Sequence, residues 1–157
     1  MVTKKRERTS ELPELIKDPV LGTLRFSAAI DDTDEYQTKL ILDGSRVTID
    51  LYTDTTGSLN PCIVRTRRIV ERFPAIQKKM HRYIEREIFP NYNKTWRADK
   101  KPFTMDQILR RLKLRIVTAH PGPEATFWFD AGDLFFAHAL ILRMGDRNKF
   151  VGYDMPG

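Results

Sequence analysis

The dipeptide Asp43-Gly44 constrains the fold of this chain more than any other sequence feature. Two runs of alternating apolar and polar residues, 36–42 and 45–52, flank it directly. Asp-Gly between such runs is typical of a two-residue β-hairpin turn, because both central residues must adopt positive φ. If Leu42 pairs with Ser45, one face carries Tyr36, Thr38, Leu40, Leu42, Val47, Ile49 and Leu51, and the other carries Lys39, Ile41, Arg46, Thr48 and Asp50. The sequence therefore predicts this one register.

The segment before the hairpin divides into a tail and a strand. Residues 1–17 are basic near the start and poor in apolar residues up to Leu12, which predicts a flexible basic N-terminal tail. After Asp18-Pro19, apolar residues alternate at Leu24, Phe26, Ala28 and Ile30, which predicts a half-buried strand. Residues 18–157 are then predicted to form a single domain.

Helical spacing follows in the middle of the chain. Pro61 suits the first position of a helix with Asn60 as its cap, and Pro74 should end or kink that helix. An amphipathic stripe over 76–88 predicts a second helix that stops at Phe89-Pro90, so 91–96 is expected to be a loop. Thr104 and Gln107 have the form of a capping box, which predicts a short third helix.

The last third of the chain returns to strand patterns. Residues 114–119, 125–130 and 134–143 read as strands, the last two as a hairpin around Ala131-Gly132. Both faces of 134–143 are apolar, so this strand is expected to lie in the middle of the sheet. The fold class predicted is α+β, with an antiparallel sheet of N-terminal and C-terminal strands packed against two or three helices.

Composition excludes several classes of protein. Hydrophobic residues make up 41% of the 157, which is enough for a core, and no apolar run approaches the length of a membrane span. One cysteine, Cys62, excludes a disulfide framework and favours a reducing compartment, so a cytoplasmic protein is expected. The three histidines and the cysteine lack ligand spacing, and no catalytic or phosphate-loop motif is present, so neither a metal nor a cofactor is predicted.

A string near the C-terminus resembles a known signature. Gly132-Asp133-Leu134-Phe135-Phe136-Ala137-His138 is similar to the G-D-L-F-W-G-H motif of the bacterial domain of unknown function 2262 family, with Phe136 and Ala137 in place of Trp and Gly. Further similarities are the run 18–23, Asn93 with Trp96, and Leu112-Lys113-Leu114. The resemblance spans residues 18–157. It implies one α+β domain of bacterial cytosolic origin and brings no catalytic residues, so Gly132, Asp133, Leu134, Phe135 and His138 are interpreted as structural.

Four single residues could carry chemistry, and each also has a structural interpretation that we favour. His138, on a central strand beside Phe136 and Leu140, could be a base or ligand but is expected to be a neutral core histidine bonded to backbone. Asp130 and Asp133 could bind a cation, although turn chemistry alone explains them. Cys62 is expected to be a small buried side chain.

Charge is concentrated on the predicted helices. Residues 61–86 hold eight basic and two acidic side chains, which matches the +6 of the whole chain, and Lys78, Arg82 and Arg86 recur every four residues. We therefore predict a non-catalytic protein-binding module of immunity-protein or adaptor type. Its partner would be an acidic protein such as a toxin, bound through Lys78, Arg82, Arg86, Tyr92 and Trp96. The alternatives are a nucleic-acid or polyanion binder using 61–86 and, third, an enzyme using His138.

Overall fold

The strands of this protein join one sheet in the order of the sequence. The computed structural model describes residues 10–156. Its eight strands are β1 (Leu15–Asp18), β2 (Gly22–Ile30), β3 (Thr33–Leu42), β4 (Ser45–Tyr52), β5 (Lys113–Ala119), β6 (Ala125–Asp130), β7 (Leu140–Met144) and β8 (Phe150–Asp154). Every neighbouring pair is antiparallel except β4 and β5, which are parallel. The sheet thus consists of two antiparallel meanders that meet at one parallel contact.

The helices form the crossover between the two meanders, as a parallel pair requires. They are α1 (Asn60–Glu71), α2 (Phe73–Tyr83), α3 (Phe89–Thr95) and α4 (Met105–Arg111), with a π-helical turn, Ile84–Ile88, between α2 and α3. Apolar side chains from all of them and from one face of the sheet form a continuous core. The fold is α+β, with helices against a mostly antiparallel sheet, which confirms the predicted class.

The β3–β4 hairpin has the predicted register. Leu42 pairs with Ser45, Leu40 with Val47, Thr38 with Ile49 and Tyr36 with Leu51. Asp43 and Gly44 both have positive φ, 49° and 75°, as a two-residue turn of this kind needs.

The N-terminal segment departs from its prediction in two places. Strand β1 begins at Leu15, and the hydroxyl of Tyr36 donates to the carbonyl of Pro13, so the predicted tail does not extend to residue 17. The remainder of that prediction, residues 1–9, lies outside the described residues. In β2, a register shift between Phe26 and Ala28 turns Ala29 into the core and leaves Ile30 exposed, so the predicted alternation does not continue to the end of the strand.

The helices also differ from the prediction at two boundaries. Asn60 is the first residue of α1, and the N-cap is Leu59, which makes no side-chain capping bond. Pro90 does not end the helical region, because the π-helical turn places it in the first turn of α3, where its missing N–H is not needed. Residues 91–95 are therefore helical and not a loop. The capping box of Thr104 and Gln107 at the start of α4 is confirmed.

Candidate functional site

The connection between β6 and β7, residues 131–139, is called the aromatic loop below. The sequence predicts a turn at Ala131-Gly132 and a central strand from residue 134 onward. The strand prediction is wrong for residues 134–139, because β7 begins only at Leu140. Positive φ at Gly132 (55°), Phe136 (48°) and Ala137 (72°) curls the chain into successive turns. Phe and Ala rarely adopt the left-handed region, which costs each of them about 1 kcal/mol. The sequence pattern misled the prediction because every side chain from Leu134 to Ala137 is apolar, as in a strand that is covered on both faces.

Two adjacent phenylalanines of the aromatic loop point in opposite directions. Phe135 is buried, with its ring edge-on to Tyr92 and Trp96 at centroid distances of 5.4 and 5.3 Å. Phe136 is 70% exposed, and its ring lies 5.5 Å from that of Trp96. Phe135 thus attaches the loop to the core, while Phe136 and the half-buried Trp96 form an apolar patch at the surface.

Helix α3 and the segment after it hold Trp96 in place. The side-chain amide of Asn93 donates to the carbonyl of Phe103 (2.9 Å) and accepts from its N–H (2.8 Å). The ring of Phe103 also stacks on Tyr92 at 6.1 Å. Asn93 thus ties Phe103 to α3 and fixes the segment that begins at Trp96, the C-cap of the helix.

Trp96 of the apolar patch belongs to a basic segment, and we call its cations Lys94, Arg97, Lys100 and Lys101 the basic rim. Only one acid, Asp99, interrupts it. Arg97 lies over the ring of Phe103 at 3.6 Å and donates to the carbonyl of Lys101 at 2.9 Å. Lys94, Lys100 and Lys101 are exposed. Residues 94–101, which include Trp96, therefore carry a net positive charge.

His138 is in the aromatic loop and not on a strand, so its predicted position between Phe136 and Leu140 on one strand face is wrong. Its backbone N–H donates to the carbonyl of Phe135 (3.0 Å), and its ring is edge-on to Trp96 at 6.4 Å. The ring is half-buried, and its Nδ1 atom has no hydrogen-bond partner among residues 10–156. The expected backbone bond to the imidazole is therefore absent from the described structure.

The other residues singled out from the sequence lie in three places. Tyr92 is buried, so its ring is not available to a partner. Lys78 is exposed on α2, whereas Arg82 and Arg86 line a separate cavity with Tyr83 and Phe150. The structure therefore joins Trp96 to Phe136 and the basic rim rather than to the predicted basic residues of 61–86.

Contacts within the chain account for three other candidate residues, Asp130, Asp133 and Cys62. Asp130 accepts from the N–H of Gly132 at 2.9 Å, and that bond lowers the pKa of Asp130. Asp133 is exposed, with Arg111 at 4.0 Å. Cys62 is buried and its thiol donates to the carbonyl of Ala119 at 3.1 Å, while burial raises its pKa. Within residues 10–156, no three His, Cys, Asp or Glu side chains are grouped as a metal ion requires.

Sequence reasoning missed a pair of carboxylates on the sheet face that no helix covers. Asp50 and Glu35 are both buried, and the amide of Gln37 donates to each, at 2.8 and 3.3 Å. Burial, and secondly the charge of Glu35, raises the pKa of Asp50 to about 6. Tyr52 donates to Glu35 at 3.4 Å and stacks on His120. The alternating pattern placed Asp50 correctly on the outer face but gave no sign that it would be buried there.

A cavity of about 650 Å³ lies between α2, α4 and the β3–β4 turn. Its lining includes Phe73, Met80 and Phe129, with two acids, Asp43 and Asp106, and two cations, Arg110 and Lys113. Gln77 already donates to Asp43 at 2.7 Å. Because the charges balance, the lining does not select a ligand by charge.

The fold and the aromatic loop define an α+β domain of a bacterial type. Residues 18–155 match the model of the family described as uncharacterised proteins conserved in bacteria, domain of unknown function 2262. The chain belongs to this family, as the resemblance implied. Neither a curated protein nor a solved structure matches it.

No helix within residues 10–156 combines the length and the apolar character needed to cross a lipid bilayer.

Proposed function

We propose that this protein is a non-catalytic protein-binding module whose contact surface is the patch of Phe136 and Trp96 with the basic rim beside it. The partner is an acidic protein. This keeps the class of function predicted from the sequence and retains Trp96 from the predicted contact. It replaces Lys78, Arg82, Arg86 and Tyr92 with Phe136 and the basic rim. The proposed module is of immunity-protein or adaptor type.

The exposure of Phe136 in a strained backbone is the observation that carries the proposal. Phe136 is 70% exposed, and its φ of 48° is an unfavourable backbone conformation for a phenylalanine. Large aromatic side chains supply most of the binding energy at protein interfaces when a partner buries them. A contact that covers Phe136 and the adjacent half-buried Trp96 would use both features.

Charge supports an acidic partner over a neutral one. Lys94, Lys100 and Lys101 are exposed beside the patch, and none of them makes an ion pair with a carboxylate among residues 10–156. Complementary charge at the edge of an interface mainly speeds association and selects the partner, whereas the buried aromatic centre provides affinity.

An enzyme that uses His138 has less support. The imidazole Nδ1 has no hydrogen-bond partner in the described chain, so no carboxylate orients the ring as a general base usually requires. Its nearest aromatic neighbour is Trp96, which cannot move a proton.

Co-purification from the native bacterium tests the proposal, with the bound proteins quantified by mass spectrometry. Three variants decide it: Phe136→Ala removes the anchor, the double variant Lys100→Glu/Lys101→Glu reverses the rim, and Ile41→Ala is the matched control. Ile41 is 67% exposed and belongs to the β3–β4 hairpin, whereas the patch is formed by the aromatic loop and the end of α3.

We expect wild type and the Ile41 variant to retain one acidic protein in stoichiometric amount. The Phe136 variant should lose it, and the charge-reversed variant should retain less at low salt. Recovery of the isolated chain alone, or equal recovery of the partner with Phe136→Ala, would overturn the proposal.

A further inference from the structure

Five cations surround one cavity on the side of the molecule where α2 meets the last two strands. Its volume is about 360 Å³, and we call it the basic cavity. It is lined by Lys79, Arg82, Tyr83, Arg86, Arg147, Asn148, Lys149 and Phe150. No acidic side chain is part of this lining. We propose that the basic cavity binds a small molecule that carries a phosphate group next to a planar ring, as a mononucleotide does.

Most of the cations at the basic cavity have no carboxylate to neutralise them. Arg86 donates to Glu87 at 2.7 Å, so its charge is partly balanced. The other four, Lys79, Arg82, Arg147 and Lys149, make no ion pair within residues 10–156. Like charges that converge without counterions repel one another, and a multiply charged anion relieves this repulsion. Three of the five are arginines, whose planar forks match the oxygens of a phosphate.

The turn that carries Arg147 is held in an unfavourable conformation. Arg147 and Asn148 both have positive φ, 56° and 53°, between β7 and β8. Asn adopts this region several times more often than most residues, whereas Arg has no side-chain contact with its own backbone that would favour it. The turn is fixed by Gly145, whose N–H donates to the carbonyl of Lys149 at 2.8 Å, and by Lys79, whose ammonium donates to the carbonyl of Arg147 at 3.3 Å. Strain at a cavity wall is typical of binding sites, because it presets the positions of the charged groups.

Aromatic side chains supply the apolar part of the lining. Tyr83 and Phe150 both line the basic cavity, with ring centroids 6.0 Å apart. Most of each side chain is buried, so only the part that faces the cavity is open to a ligand, and that part forms its floor. Arg86 also lies over the ring of Tyr83 at 5.7 Å. A planar ring on the ligand can pack against such a floor, whereas a bare phosphate ion cannot. The volume lies near the lower end of the range for small-molecule sites, which suits one nucleotide and not an extended strand.

Calorimetric titration of the full chain at low ionic strength and without metal ions tests this proposal. The probes are AMP, adenosine, inorganic phosphate and a short single-stranded oligonucleotide. We expect AMP to bind more tightly than adenosine or phosphate. The double variant Arg82→Gln/Lys149→Gln should weaken AMP binding at least about tenfold, because it removes two charge-assisted contacts.

A variant on the same helix provides the control. Lys78→Gln removes one charge from α2, but Lys78 does not line the cavity, so AMP affinity should change less than about twofold. Phe136→Ala should leave AMP binding unchanged, which separates this site from the protein-binding patch. The proposal is overturned if AMP does not bind, or if the double variant binds it as wild type does. Binding of the oligonucleotide alone, weakened equally by Lys78→Gln, would also overturn it in favour of a nucleic-acid surface.

Discussion

The β3–β4 hairpin and the aromatic loop both connect neighbouring antiparallel strands of one sheet, yet they do so by different means. The first reverses the chain through Asp43 and Gly44 alone, with a glycine at its φ of 75°. The second takes residues 131–139 and places Phe136 and Ala137 in the same left-handed region. The hairpin is determined by its own sequence. The aromatic loop is determined by distant residues, chiefly Tyr92 and Trp96, against which Phe135 packs.

The difference separates a connection that only joins two strands from one that also offers side chains to a binding partner. A two-residue turn presents little side-chain surface, and its Gly44 has open space around it. The aromatic loop instead divides its apolar residues between the core and the solvent. If this account is correct, substitutions in the loop should separate into those that change folding and those that change only binding.

The largest expected effect comes from the two adjacent phenylalanines. Phe135→Ala should lower the free energy of unfolding by about 3–4 kcal/mol, because it leaves a cavity beside Tyr92 and Trp96. Phe136→Ala should change it by less than about 0.5 kcal/mol, since an exposed ring has little burial to lose. Urea denaturation of both variants measures the difference. Similar losses in the two variants would show that the loop does not divide core from surface.

The second effect concerns a short turn of the N-terminal meander, which is held by charge rather than by rings. Asp18 accepts from the N–H groups of Val20 and Leu21, at 2.9 and 2.8 Å, and from the guanidinium of Arg67 in α1. Asp18→Asn should cost about 1–3 kcal/mol at pH 7, because the guanidinium then faces an uncharged amide.

The pH dependence of this cost follows from the same contacts. The hydrogen bond from Arg67, followed by those from the backbone, outweighs burial and lowers the pKa of Asp18 below its usual 3.8. The stabilisation is therefore present above about pH 4 and is lost as the pH falls through the lowered pKa. Thermal unfolding of the variant and wild type should converge at strongly acidic pH. A difference that persists there would assign the cost to packing instead.

A smaller effect of opposite sign is expected on the uncovered sheet face. The pKa of Asp50 is raised to about 6, so its ionised form destabilises the folded chain at higher pH. Asp50→Asn keeps an acceptor for Gln37 and should stabilise the protein by about 1 kcal/mol at pH 8. This is less than the full shift implies, because solvent still reaches the group. Below about pH 4 the gain should vanish, since Asp50 is then protonated both folded and unfolded. Melting temperatures across this range measure it, and a gain that does not depend on pH would contradict the assignment.

The smallest effect compares the left-handed positions of the two connections directly. Ala137→Gly should stabilise the chain by about 0.5–1 kcal/mol, because glycine adopts a φ of 72° without strain. Gly44→Ala should destabilise it by a similar amount, although nothing crowds the new methyl group. Urea midpoints of the pair give the measurement. Changes of the same sign would mean that backbone strain does not distinguish the two turns.

Local chemistry explains how much of this structure the sequence predicts. The Asp43-Gly44 turn fixes the hairpin register, and Thr104 with Gln107 fixes the start of α4, because each depends on residues a few positions apart. Pro90 misled the prediction, since no local sequence pattern indicated the π-helical turn that places Pro90 in the first turn of α3. For the candidate site, Trp96 was predicted as a contact residue and Phe136 was not. Phe136 is exposed because Gly132, Phe136 and Ala137 adopt positive φ, and an apolar run gives no sequence signal for that conformation.

Photo-cross-linking from position 136 in the native bacterium tests the central claim most directly. A benzophenone amino acid replaces Phe136 in one sample and the exposed Ile41 in the other, and both are irradiated in living cells. The account predicts one discrete adduct with an acidic protein from position 136, reduced by Lys100→Glu/Lys101→Glu, and none from position 41. The absence of an adduct at position 136, or the same adducts from both positions, would contradict it.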